Sequence, residues 1–130
     1  MRHSLHASVT RITDLEQVPF EVHPLSRDRW ETADYVLAEV LGPSHHPFEI
    51  ANGRLVDAVA GDLVIGALGK RSATLEVVGD WSQTSVTGEM HALTGAGLFG
   101  LATSLSTWLK PLTPVVYRGH VLRDGQKLNM

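Results

Sequence analysis

The sequence predicts a mainly β domain, a small barrel or barrel-sandwich hybrid with one or two short helices. Three observations carry that expectation. Asn52-Gly53 separates an apolar run, Phe48 and Ile50, from an alternating one, Leu55, Asp57 and Val59. That is a strong hairpin signal, because a type I′ turn needs φ > 0 at both central residues. Gly61-Asp62 reverses the chain again, and the following Leu63-Val64-Ile65-Gly66-Ala67-Leu68 is apolar at every position, the pattern of a strand buried on both faces. Finally, Val115 to Arg123 reads as a strand and runs into Asp124-Gly125, a second tight-turn dipeptide, with a short return strand from Gln126.

Composition agrees with one folded domain over residues 1–130. A chain of 130 residues with 43% hydrophobic and 19% charged residues can bury a core without staples. The formal charge of -3 and the scattered lysines and arginines leave no basic footprint for nucleic acid. There is no cysteine, so disulfides and thiolate zinc sites are excluded. No apolar run reaches the roughly 20 residues of a membrane-spanning helix, and the first residues lack a signal-like apolar stretch, so no membrane partner is expected and a cytoplasmic setting is the default.

In chain order, residues 1–18 are polar with widely spaced apolar anchors and predict a loosely ordered start. Phe20-Glu21-Val22, between Pro19 and Pro24, predicts an edge strand. Residues 26–41 fit either a helical period or a strand. One helical turn near residues 26–31 followed by a strand over 34–41 reconciles Ser26 as a cap with the Tyr, Val and Leu content that follows. Gly42 to Pro47 predicts a loop. Residues 73–78 predict one more strand and residues 86–93 another. Residues 94–110 carry Leu98, Leu101, Leu105 and Leu109 at a 3-to-4 spacing, which predicts a helix closing one end of the barrel. The return strand is cut short by the last residue, which suggests an N-terminal module of a longer protein.

Without cysteine, a metal site would need histidine and carboxylate ligands. The candidates are His45 or His46, in the Pro-flanked loop, with His91 and His120, and Glu49 or Glu89 as base of a hydrolase-like enzyme. Adjacent histidines on an extended backbone point apart, so His45 and His46 would not share one metal, and separate surface or hydrogen-bonded histidines are the alternative. Gly95-Ala96-Gly97-Leu98-Phe99-Gly100 spells G-x-G-x-x-G, but no further βα unit fits after it, and close packing of a glycine-rich turn explains it equally. Gly66 to Ser72 departs twice from a Walker loop. Lys70 and Arg71 could still hold an anion at a pocket mouth, and Arg118 and His120 share one strand face under strict alternation. These four residues, Lys70, Arg71, Arg118 and His120, are the candidate ligand-binding set. The bland alternative is solvated charge at strand ends.

The segments GDLVIGALGKR, ATLEVVGDW, HALTGAGLFG and YRGHVLRDG together resemble an uncharacterised β-rich domain family placed ahead of a P-loop nucleotide-binding domain. The resemblance covers roughly residues 30–130 and carries no catalytic motif. It implies an accessory module whose nucleotide chemistry belongs to a partner domain. The hairpin around residues 56–66 also resembles barrel-sandwich hairpins, but lacks the hairpin-tip lysine of lipoyl and biotinyl carriers. The functional expectation is therefore a non-catalytic module that binds a small anionic ligand or a partner domain, and no cofactor is indicated. The competing classes are the histidine-metal enzyme and a structural domain forming a homodimer through an edge strand.

Overall fold

The computed structural model describes residues 4–7, 20–42, 48–50, 55–73, 77–84, 88–94, 97–105 and 112–129. The chain is mainly β. Its strands are β1 (Ser4–His6), β2 (Glu21–His23), β3 (Tyr35–Val40), β4 (Phe48–Glu49), β5 (Leu55–Val56), β6 (Leu63–Leu68), β7 (Lys70–Ala73), β8 (Val77–Asp80), β9 (Glu89–Ala92), β10 (Leu98–Leu105), β11 (Pro114–Arg123) and β12 (Gln126–Lys127). Helical structure among the described residues is limited to two 3-10 turns, Arg27–Arg29 and Trp81–Gln83.

Five strands close into a barrel in the order β3-β6-β10-β9-β11 and back to β3. Every pairing round this ring is antiparallel except β6 with β10, where Leu98 faces Ala67 and Phe99 faces Leu68. That parallel seam is built on glycine. A Cβ on Gly66 would lie 2.2 Å from the Gly97 carbonyl oxygen, and Gly97 itself has φ +96°. The backbones therefore approach closely enough for the Ala67 amide to donate to Gly97 and the Gly69 amide to Phe99.

Strand periodicity explains why β6 is apolar throughout. Val64 and Leu68 join Val36, Ala38, Val40, Phe99 and Val115 in the larger core cluster. Ile65 and Ala67 point the other way, with Tyr35 and Val121, under Phe20, Leu37 and Leu128. Both faces are covered, as the unbroken apolar run requires. Outside the barrel, β1 runs parallel to β6, β2 lies along β11, and the β7–β8 hairpin extends the sheet from β10.

Two local expectations are corrected. Residues 98–105 form strand β10, not a helix, and residues 106–111 lie outside the described residues. The 3-to-4 leucine spacing is real, but pairing with β6, β8 and β9 takes up this backbone, and Gly97 and Gly100 disfavour a helix. The single strand expected over 73–78 is instead the facing ends of β7 and β8, with Ala73 opposite Val77. Ser4–His6, within the stretch expected as a loose start, is instead the strand β1 beside β6, and residues 8–19 and 43–47 lie outside the described residues. At other described positions the pattern and the structure agree. The turn at Arg27–Arg29 precedes β3, the Gly61-Asp62 reversal precedes β6, and Asp124 and Gly125, both at positive φ, join β11 to β12. The strands flanking Asn52-Gly53 pair as a hairpin, Phe48 with Val56 and Glu49 with Leu55, while the dipeptide itself lies outside the described residues.

Candidate functional site

The polar centre of the molecule is Asp34, His120 and Tyr117. Strict alternation along β11 would set Tyr117 and His120 on opposite faces. A bulge intervenes: Tyr117 pairs with Ala38 but Gly119 with Leu37, so Arg118 is the extra residue. Arg118 is thereby pushed outward, and Tyr117 and His120 both face the barrel. The Tyr117 hydroxyl lies 2.6 Å from His120 Nδ1, and His120 Nε2 lies 2.9 Å from Asp34 Oδ2. His120 is 0% and Asp34 1% exposed.

The proton positions follow from the partners. The Leu25 amide can only donate, and it does so to Tyr117 Oη at 2.9 Å. The phenol hydrogen is then free to donate to Nδ1, which leaves the imidazole proton on Nε2, aimed at Asp34. Burial lowers the pKa of His120; Asp34 opposes the shift, while the Lys127 and Arg29 charges add to it. Burial likewise raises that of Tyr117, against the hydrogen bonds it receives. Both groups are neutral at pH 7.

Asp34 is held from three sides. It sits between β3 and Ala33, whose φ is +78°, and its Oδ2 accepts from the Glu31 amide at 2.8 Å. Lys127 reaches the same oxygen at 3.1 Å, and also donates to Glu31 Oε1 at 2.6 Å and the Arg29 carbonyl at 2.8 Å. Burial works against its charge, but the bonds to Glu31 and Asp34 outweigh it and raise its pKa. The Asp124-Gly125 turn delivers Lys127 here, by folding β12 back along β11.

Aromatic rings seal the cluster. The Trp30 ring lies 4.2 Å from Tyr117 and 5.9 Å from His120, and its indole N–H donates to the Leu25 carbonyl. Arg27 stacks over Trp30 at 4.8 Å and Trp81 at 5.4 Å, donating to the Ser82 and Thr84 carbonyls. An Asp-His-hydroxyl chain is the layout of a general-base relay. Here, however, the hydroxyl bonds in both directions within the protein, and the ring that carries it is half-buried against Trp30. The arrangement is a clasp between β11, β12 and the segment that leads into β3.

The residues singled out from sequence lie on two strands, Lys70 and Arg71 on β7 and Arg118 and His120 on β11. Lys70 pairs with Asp80 at 3.7 Å, Arg71 donates to the Leu93 carbonyl at 2.6 Å, and Arg118 places two N–H groups on one Glu39 oxygen at 3.1 Å. His120 is bonded to Tyr117 and Asp34, so the four residues have different partners. Arg118 and His120 do not share a face, because the bulge separates them. Lys70 is 59% exposed at its side chain, so Lys70→Ala is expected to change stability by less than about 1 kcal/mol in chemical denaturation.

His91 accepts the Ala102 amide at Nδ1. It pairs with Pro114, six residues along β11 from His120, a separation of roughly 20 Å at strand rise. Both nitrogens of His120 are engaged, and among the described residues no three His, Asp or Glu side chains form a group able to hold a metal. His45 and His46 lie outside the described residues. Glu89 is exposed on β9, and Glu49 is half-buried on β4. Of the G-x-G-x-x-G run, Gly97 packs against Ala7 and Gly66, and Gly100 against Leu93 and the Trp81 and Gly69 backbone.

A shallow cleft of about 160 Å³ is lined by Phe20, Glu21, Leu122, Arg123 and Asp124. That is below the roughly 300–1,000 Å³ typical of ligand pockets. No described helix is long and apolar enough to cross a membrane. Comparison of the chain with protein-family models, curated proteins and solved structures finds no match.

Proposed function

We propose that this barrel is a non-catalytic accessory module that docks on a partner domain, and that the partner is the nucleotide-binding domain implied by the sequence resemblance. One observation carries the reading: Leu41, Leu55 and Val59 are large apolar side chains exposed to 43%, 67% and 62%. Leu41 and Val59 flank a single junction, where the Gly61 amide donates to the Val40 carbonyl and the Val40 amide to Asp62. Ala58 turns into the core beside them, so the outward placement of Val59 is set by the chain. Exposed apolar groups of this size suit protein contact, whereas the paired charges and buried histidine offer little to a substrate.

Site-specific crosslinking tests this reading. With a photoreactive benzoylphenylalanine in place of Leu55, irradiation in the source cells is expected to give an adduct with a protein that contains a nucleotide-binding domain. Val59→Asp is expected to abolish that adduct without changing the melting temperature of the barrel. An adduct of twice the chain mass would instead establish self-association, and a nucleotide-binding adduct that survives Val59→Asp would place the contact elsewhere. Either outcome overturns the reading.

A further inference from the structure

We propose that the Tyr117–His120–Asp34 chain is an acid-sensitive latch: a proton taken up at His120 Nδ1 displaces the Tyr117 hydroxyl hydrogen and releases the segment around Leu25 and Trp30 from the barrel. The inference is independent of the docking reading and concerns different residues.

The geometry leaves protonation no relaxed arrangement. Nδ1 lies 2.6 Å from Tyr117 Oη, so an N–H there must point at that oxygen. Oη already accepts from the Leu25 amide, and its own hydrogen would then lose His120 as its acceptor in a half-buried site. The charge balance acts in the same direction. His120 faces Asp34 and Glu31 ahead of β3, Lys127 from β12, Arg29 from the 3-10 turn and Tyr117 from its own strand. His23, opposite on β2, is exposed and turned to Glu21 at 3.0 Å. Lys127 shares the Asp34 carboxylate and Arg29 adds a second positive charge, so an imidazolium would be only partly compensated in its buried site.

What the latch holds is specific. Leu25 is tied through its amide to Tyr117 and through its carbonyl to the Trp30 indole, and the Trp30 ring covers both Tyr117 and His120. Hydrating an imidazolium on this fully buried ring requires the aromatic cover to lift, while the β3–β11 ladder stays intact. The sign follows from burial. His120 is depressed below the ordinary value of 6.5, so below that pH the open form binds the proton and the closed form does not. The latch is closed above pH 6.5 and opens as pH falls through the depressed value.

The test is a pH titration of the full ¹⁵N-labelled chain from 7.5 to 5, following the Leu25 amide and the Trp30 indole N–H. Both are expected to move together with one midpoint below 6.5, while the Val36 and Ala38 amides hold. Lys127→Met removes the cation that shares Asp34 Oδ2, and is expected to raise the midpoint by about one pH unit. Arg29→Gln, at an exposed position, should raise it by less, and serves if the first variant folds poorly. Leu25 and Trp30 signals that stay constant until the whole chain unfolds would overturn the latch. So would a midpoint that neither substitution moves.

Discussion

Asp34→Ala is expected to destabilise the protein by about 3–5 kcal/mol, measured by urea denaturation at pH 7.5. The substitution removes the acceptor for three donors at once: the Glu31 amide, His120 Nε2 and Lys127 Nζ. The imidazole N–H has no other partner, because the ring is fully buried and Nδ1 is committed to Tyr117. Against a total stability of roughly 5–15 kcal/mol for a domain of this kind, the loss is a large part of the whole. Asp34→Asn should cost less, since its side-chain oxygen can still accept from His120 while its amide meets Lys127 unfavourably. If the alanine variant unfolds at the wild-type urea midpoint, the clasp does not hold the fold.

Gly66→Ala is expected to cost at least as much as the upper end of the roughly 1–3 kcal/mol usual for overpacking. Its new methyl would sit 2.2 Å from the Gly97 carbonyl oxygen and 2.7 Å from the Phe99 ring. The first neighbour is backbone within the β6–β10 seam, so relief requires the barrel itself to open. Gly97→Ala adds a second penalty, positive φ, to a 2.2 Å approach to the Ala7 side chain. Gly125→Ala is the control. A Cβ there meets nothing within 4 Å, and its cost is limited to the φ of +77°, about 1 kcal/mol. Near-equal melting temperatures for Gly66→Ala and Gly125→Ala would mean that the seam is not closed as described.

The same pair of sites shows which parts of the fold were legible in the sequence. β6 announced itself because six consecutive apolar residues have only one comfortable place, a strand covered on both sides. β11 and its turn were equally plain, since a Val- and Tyr-rich run and an Asp-Gly dipeptide are local signals. The strand β10 was not, because Leu98, Leu101 and Leu105 satisfy a helical spacing and only the distant partners β6, β8 and β9 decide otherwise. Propensity yielded to tertiary pairing there.

The clasp was hidden for a related reason. His120 was marked as a candidate, but Asp34, Tyr117, Trp30 and Lys127 were not, since they lie up to 97 residues apart in sequence and carry no spacing motif. Arg118-Gly119 inside an otherwise continuous strand was the available hint. A glycine in a strand interior often marks a bulge, and a bulge reverses which residues share a face. The partners of the charged candidates Lys70, Arg71 and Arg118, namely Asp80, the Leu93 carbonyl and Glu39, come from other segments of the chain and carry no signal in the local sequence.

The central claim is that the histidine at the heart of the barrel is a sealed structural group, with its proton on Nε2 and directed at Asp34. The ¹⁵N spectrum of the His120 ring at pH 7.5 tests it most directly. The account predicts a neutral Nε2–H tautomer, with a ring proton that exchanges slowly enough to be seen and that couples across to the Asp34 side. A ring proton on Nδ1, or an imidazole that exchanges freely with solvent and titrates near 6.5, would contradict it.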